Sequence, residues 1–314
     1  MSGATFDRRG FLVAAAGIAL AAASPERLAA AAPQAPRRYP VGIQFFTFNT
    51  LASQGWEQFS AALELARKIG YDGVQLAGLM GHEPAKIRKR AEELGLALHS
   101  MHMGNDQVRA FRAPTGPFSD AQDAVYTPVG MVQVARVNLP LARDLGCEWG
   151  MIAASGPVNV SSLDNIRRMC DAMNKCQDVA RQSGVKLSYH THAGDFTPVD
   201  GQVPFDILVA NTDAAIRFEL DVCWVKAGGA DPVRVIERHA KRIVSFHLKD
   251  IDREGKPATP GDGVLDFRAI HDAAAAVESP LFYVERDGSP GADLPTEASR
   301  GLKYLQPLGW GSAR

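Results

Sequence analysis

The stretch "FELDVCWVKAGGADPVRVIERHAKRIVSFHLKDID", residues 218–252, decides the fold. Two β-type runs, "IRFELDV" (216–222) and "RIVSFHLK" (242–249), bracket an amphipathic stretch. That is the order strand, helix, strand of a parallel unit. Side chains alternate between the two faces of a strand. In the second run Val244, Phe246 and Leu248 take one face, and Ser245, His247 and Lys249 the other. In the first run Glu219 and Asp221 share a face. The apolar face is expected to pack on helices, and the polar face to point elsewhere.

Moving outward, the same alternation runs through the chain. Further strands are expected at 41–46, 73–78, 96–102, 148–154, 186–192 and 281–286. Between them lie helix-like stretches that end at glycine, such as "WEQFSAALELARKIG", with Phe59, Leu63, Ala66 and Ile69 in one stripe. Eight strand-like runs alternating with helices predict a (β/α)8 TIM barrel, which needs about 250 residues. The second choice is an open doubly wound sheet. No GxGxxG follows the first strand, so nothing supports a dinucleotide fold. Segment 104–129 is rich in turn residues and reads as a lid or a surface excursion.

Barrel sites lie at the C-terminal ends of the strands. There the fifth strand, "KLSYHTH", carries His190 and His192, with Asp195 close behind. The sixth carries Asp221, the seventh His247 and Lys249, and the eighth Tyr283, Glu285 and Asp287 in one phase. The third ends with His102, in phase with Ser100. Each residue alone has an ordinary reading: a hydrogen-bonded histidine, a helix cap, a surface pair such as Lys249 and Asp250. Their shared phase and shared end make a site the better reading. Charges gathered in a barrel mouth need partners or a metal. Imidazole with carboxylate suits Mn, Co, Fe or Zn, and suits Mg less.

Composition limits the partners. Thirty-four basic and 35 acidic residues leave a formal net charge of −1, with no Lys/Arg-rich run. That gives no general attraction to nucleic acid or an anionic membrane. Arg8 and Arg9 precede a short apolar run from Phe11 to Ala23, then small residues and a Pro-rich linker. This is the pattern of a twin-arginine export signal, with cleavage near Ala31, and the run is shorter than the about 20 residues that span a bilayer. Residues 1–32 are therefore assigned to the signal and the start of the linker, and 33–314 to the barrel. The expected location is periplasmic or extracellular, with no stable membrane insertion after cleavage. The four cysteines, Cys147, Cys170, Cys176 and Cys223, form no CxxC pair and read as buried thiols.

The quoted stretch, together with "VGIQFFTF", "YDGVQLAGL", "YHTHAGDF" and "GDGVLDFRAIHDA…YVERD", resembles the sugar phosphate isomerase/epimerase family of xylose-isomerase-like barrels. The resemblance runs from about residue 40 onward. It implies a divalent metal at the mouth, held by Glu, Asp, His and Glu from the fifth to eighth strands. Asp221, His247 and Glu285 match by position, and His190 stands where sugar epimerases carry the first glutamate. The chain is similar to the "YHNH" subset, with Thr191 in place of Asn. Same-face neighbours on a strand lie roughly 6.6 to 7 Å apart, which strains joint ligation of one metal. So His190 is read as the fourth ligand and His192 as a working residue.

The resemblance implies a small-molecule substrate, a sugar, inositol or related polyol. A metal-stabilised enediolate would lead to isomerisation or epimerisation, or, by loss of a β-group, to a lyase or dehydratase reaction. Glu285, His192 or His102 would move the proton, and Lys249 would bind substrate or stabilise oxyanion charge. Asp195, Gln75 and Trp224 are assigned to substrate contact. A multi-metal endonuclease and a non-catalytic sugar-binding protein are the weaker alternatives. Dimers are a habit of the family, so a homo-oligomer belongs among the expected partners.

Overall fold

Eight parallel strands close into a barrel in the computed structural model, which describes residues 37–104, 128–152, 160–287 and 293–312. They are β1 (Gly42–Gln44), β2 (Gly73–Leu76), β3 (Ala97–His102), β4 (Trp149–Ile152), β5 (Lys186–His190), β6 (Arg217–Asp221), β7 (Ile243–Leu248) and β10 (Leu281–Val284). A two-stranded ribbon, β8 (Asp250–Ile251) with β9 (Pro257–Ala258), follows β7. The principal helices are α1 (Trp56–Ile69), α2 (Pro84–Leu94), α3 (Pro128–Leu145), α4 (Leu163–Ser183), α5 (Pro204–Asn211), α6 (Val222–Ala227), α7 (Pro232–His239), α8 (Phe267–Ala274) and α9 (Leu294–Leu305). Each expected strand is present, shorter by a few residues. The leader and most of segment 104–129 lie outside the described residues.

Alternation builds the two layers. Ile43, Val74, Met101, Leu187, Tyr189, Phe218, Leu220, Phe246 and Leu248 face outward and are buried in one core with the helices. Gln44, Gln75, Ser100, Glu219, Ser245 and Tyr283 form a hydrogen-bonded layer inside the barrel. Gly42 makes room for it: a Cβ there would stand 2.8 Å from the Tyr283 ring. All four cysteines are free and buried, as their spacing leads one to expect.

One residue departs from simple parity. Phe218 pairs with Ile243 and Glu219 with Ser245, so Val244 is an extra residue, a β-bulge. Val244 is therefore not on the helix face as strict alternation predicts. It joins Trp149, Met151 and Leu281 in a separate apolar cluster toward the strand starts. The shift lets β7 aim Ser245 and His247 inward beside Glu219 and Asp221. Among the described residues no helix is long and apolar enough to cross a membrane.

Candidate metal centre

The mouth is assembled by strand stagger. His190 pairs with Glu219, but it is Asp221, two residues further on, that pairs with His247. Tilted strands thus bring residues of different register to one level. Ligand atoms of His190, Asp221, His247 and Glu285 lie within 4.8 Å of one another, and all four residues are buried. These are the four expected metal ligands, and the fold brings them together.

Each is held by a local cause. Asp221 caps α6: its Oδ1 accepts the backbone N–H groups of Cys223 and Trp224 at 3.0 and 3.3 Å. Its Oδ2 has no hydrogen-bond partner among the described residues, although the Lys249 ammonium lies 3.1 Å away. A buried carboxylate oxygen that faces an ammonium without a well-aligned hydrogen bond fits a cation-binding role. His247 Nδ1 lies 2.9 Å from Glu285 Oε2. Two imidazoles with two carboxylates form a donor set suited to a divalent transition metal.

Lys249 is 1% exposed and lies among three carboxylates: Asp221 at 3.1 Å, Glu285 at 2.6 Å and Asp287 at 3.0 Å. It is not half of a surface pair with Asp250. Burial disfavours its charge, but Asp221, Glu285 and Asp287 outweigh burial and hold its pKa well above the ordinary lysine value. Asp250 is also buried, and accepts four backbone N–H groups, from Ile251, Gly261, Gly263 and Leu265. A Cβ at Gly263 would stand 2.2 Å from Asp250 Oδ1, so the loop requires glycine there. The adjacent Lys-Asp pair thus serves two structures, the mouth and the loop beside it.

The titration pattern follows from burial and charge. Burial opposes the Glu285 carboxylate, but Lys249 and His247 hold its pKa well below the usual range. Burial raises Asp221 to about 6 against the pull of Lys249. Burial also works against a charged His247, yet Glu219 and Glu285 lift it to about 10. His190 is pushed well down by burial and by His247. Burial and Lys249 push His192 down to about 4, so it is neutral at ordinary pH.

The other expected site residues divide. His192 lies beside His190, with ring centroids 4.7 Å apart, and its buried Nδ1 has no hydrogen-bond partner among the described residues. Trp224 packs near both His192 and the Lys249 ammonium. His102 reaches the cluster through Glu219, 2.7 Å away. Gln75, expected at the substrate, is placed one layer deeper. It lies fully buried beneath the cluster, with its amide taken by Gln44, Ser100, Met151, Glu219 and His247. Asp195 is not brought to the mouth either. Its carboxylate accepts the Tyr189 hydroxyl at 3.1 Å and the His192 backbone N–H at 2.7 Å. It holds the turn that carries His192, which is also why β5 stops at His190. Burial raises Asp195 to about 7, against those two donors.

Glu219 is the site residue that strand phase and family pattern do not single out. It is wholly buried, and its carboxylate contacts His102, His190 and His247. Its phase with Asp221 is a visible signal in the sequence; its depth is not.

A family model described as xylose isomerase-like TIM barrel matches residues 63–308. An inosose dehydratase from Geobacillus kaustophilus (strain HTA426) is 24% identical over 276 residues, which cover 77% of this chain and 84% of that protein. Matches to several other inosose dehydratases span only about half of those proteins. A crystal structure of a sugar phosphate isomerase/epimerase from Parabacteroides distasonis ATCC 8503 superposes with a TM-score of 0.70 at 22% identity, covering 85% of this chain and 97% of that one. The zinc-bound IolI protein gives 0.62 at 13% identity, covering 86% and 98%. At these identities the two structures speak for the fold alone. The matched span, the closed eight-stranded barrel and the strand order agree, and the chain belongs to the xylose isomerase-like TIM barrel family.

Proposed function

We propose that this protein is a metal-dependent lyase that removes water from a keto-inositol or a keto-sugar. The observation that carries the reading is the buried His192 Nδ1, unpartnered among the described residues and set with Trp224 and the Lys249 ammonium at the mouth; burial and the Lys249 charge favour its neutral form. The inosose dehydratase named among the relatives supports the same class. His190, Asp221, His247 and Glu285 would hold the metal. When bound, a divalent ion supplies Lewis acidity toward a carbonyl oxygen and a neighbouring hydroxyl.

The protein's own groups then have separable roles. His192 Nδ1 takes the proton from the carbon next to the carbonyl, and that C–H electron pair moves toward the carbonyl. Loss of hydroxide from the β-carbon follows, taking up the proton that His192 Nδ1 has just accepted, and leaves a double bond, water and a neutral His192. Lys249 keeps Asp221 and Glu285 ionised and in place. Trp224 offers an apolar wall beside His192, suited to a sugar face.

Isomerisation or epimerisation is the second reading. It shares the first proton transfer and differs in where the proton returns. The several sugar epimerases that share the fold favour keeping it. Incubating the metal-loaded protein with inososes, keto-sugars and aldoses in D2O, followed by NMR, separates the two. Alkene signals with loss of a hydroxyl support dehydration. Deuterium at carbon with the hydroxyl retained supports isomerisation. No exchange with any inosose or keto-sugar rejects both.

Export is part of the proposal. Arg8-Arg9 and the apolar run after them support the twin-arginine route, which carries folded proteins and so lets the metal enter first. Cell fractionation of wild type and an Arg8→Lys, Arg9→Lys variant tests it: a wild-type protein retained in the cytoplasm rejects export.

A further inference from the structure

Glu219 lies on β6, one same-face step deeper than Asp221, with no exposed surface. Its Oε1 is 2.7 Å from His102 Nε2, 3.1 Å from His190 Nδ1 and 3.0 Å from His247 Nε2. Its Oε2 accepts from Gln75 Nε2 at 2.6 Å and from Ser245 Oγ at 2.8 Å. An ionised carboxylate only accepts, so a ring nitrogen that hydrogen-bonds to it does so as N–H. Gln75 Oε1, 2.6 Å from His247 Nε2, is likewise an acceptor and makes the same demand.

We infer that Glu219 is a positioning residue: by accepting the inward N–H of His102, His190 and His247, it turns their other nitrogens toward the mouth. A neutral imidazole that keeps its proton on one nitrogen offers a lone pair on the other. His190 is then left with Nε2 and His247 with Nδ1 as ligand atoms, and His102 with Nδ1 toward substrate. For His190 and His247 this rests on the metal reading above; for His102 it does not.

The position of His190 explains why this chain needs the device. A carboxylate at the end of β5 would ligate in any orientation and bring its own charge. An imidazole ligates only through a nitrogen free of its proton, and brings no negative charge. Glu219, paired with His190 in the barrel register, supplies both the acceptor and the charge. His102, His190, Glu219 and His247 also lie close enough to hold an ion themselves. Glu219 is already engaged by three rings, Gln75 and Ser245, which favours an anchor over a ligand.

The test is the protonation pattern of the imidazoles. The full chain, with histidine labelled by 15N, is compared metal-free and loaded with Zn2+ in long-range 1H–15N spectra. The expected result with Zn2+ is a proton on His190 Nδ1 and His247 Nε2, and on His102 Nε2 with or without the ion. Glu219→Gln should weaken Zn2+ binding by about 10–100-fold and mix the tautomers of the three rings, with partial recovery in Glu219→Asp. Zinc bound through His190 Nδ1 or His247 Nε2 would overturn the assignment. So would a Glu219→Gln variant with wild-type affinity and wild-type tautomers. If Glu219→Gln does not fold, the wild-type spectra decide alone. If the wild type takes up no Zn2+, the metal reading fails, and the metal-free tautomers of His102 and His190 still decide the role of Glu219.

Discussion

The two ends of the barrel handle charge in opposite ways. At the strand starts the described residues line an open depression of about 1150 Å³, floored by Trp149, Val244 and Leu281 and rimmed by Glu148, Arg181, Lys186, Arg217 and Lys241. Its charged rim is open to solvent, and its pairs, such as Lys186 with Glu148 at 2.5 Å, are surface contacts. At the strand ends Glu219, Asp221, His247 and Lys249 have essentially no exposure. Surface pairs contribute little, whereas charges withheld from water demand compensation. Concentrated buried charge, with a His192 Nδ1 that has no hydrogen-bond partner among the described residues, marks the strand ends as the candidate site.

The contrast can be broken by substitution, the largest effect first. Glu285→Gln should lower turnover by about 10³-fold, the scale of losing one electrostatic stabiliser, and also weaken metal binding. Steady-state rates and metal titration check this, and full activity with full metal occupancy would remove Glu285 from the site. Lys249→Met leaves Asp221, Glu285 and Asp287 uncompensated. It should cost the metal-free protein about 3–5 kcal/mol, with part of the loss regained when a divalent ion is added. Thermal melts with and without metal read both halves.

Trp149→Ala probes the other end. It should cost about 3 kcal/mol through the lost packing while metal affinity stays unchanged, as denaturant unfolding and metal titration would show. A large fall in metal affinity would mean that the ends are coupled. Asp195 gives a pH-dependent effect. Its pKa is about 7 in the folded protein and near 3.8 unfolded, so the folded state holds the proton more tightly. That contribution is fully present below pH 3.8 and is lost as pH rises toward 7, by up to about 1.4 kcal/mol per pH unit. Asp195→Asn should remove this slope, so its stability relative to wild type should rise across that window. A constant difference would reject the shift. Lys186→Ala is the smallest change, within about 0.5 kcal/mol, and a larger loss would show that the open end is more tightly built than its exposure indicates.

Much of the fold and of the site is legible in the order of residues. The strands are readable because apolar and polar residues alternate in short runs, and the helices because stripes such as Phe59, Leu63 and Ala66 end at glycine. Asp221, His247 and Glu285 are legible from phase and from the family pattern, and His190 as the odd member of the set. Phase misplaces Gln75, because its face is correct but its layer is the one below. Proximity in sequence misplaces Asp195, because a short helical turn directs it to Tyr189. The ordinary alternative of a surface Lys249–Asp250 pair fails for Asp250 because the four amides of its glycine-rich loop cannot be seen in a dipeptide.

Residue order alone sets the face that strand residues take, Val244 excepted, and with that the barrel, its polar interior and the identity of the candidate metal-binding side chains. Tertiary structure alone decided depth. Strands tilt and stagger as they close, and β7 carries the Val244 bulge, so residues of equal phase settle in different layers. That is why Asp221 and Glu285 reach the mouth, while Glu219, equally in phase, lies beneath it with three imidazoles.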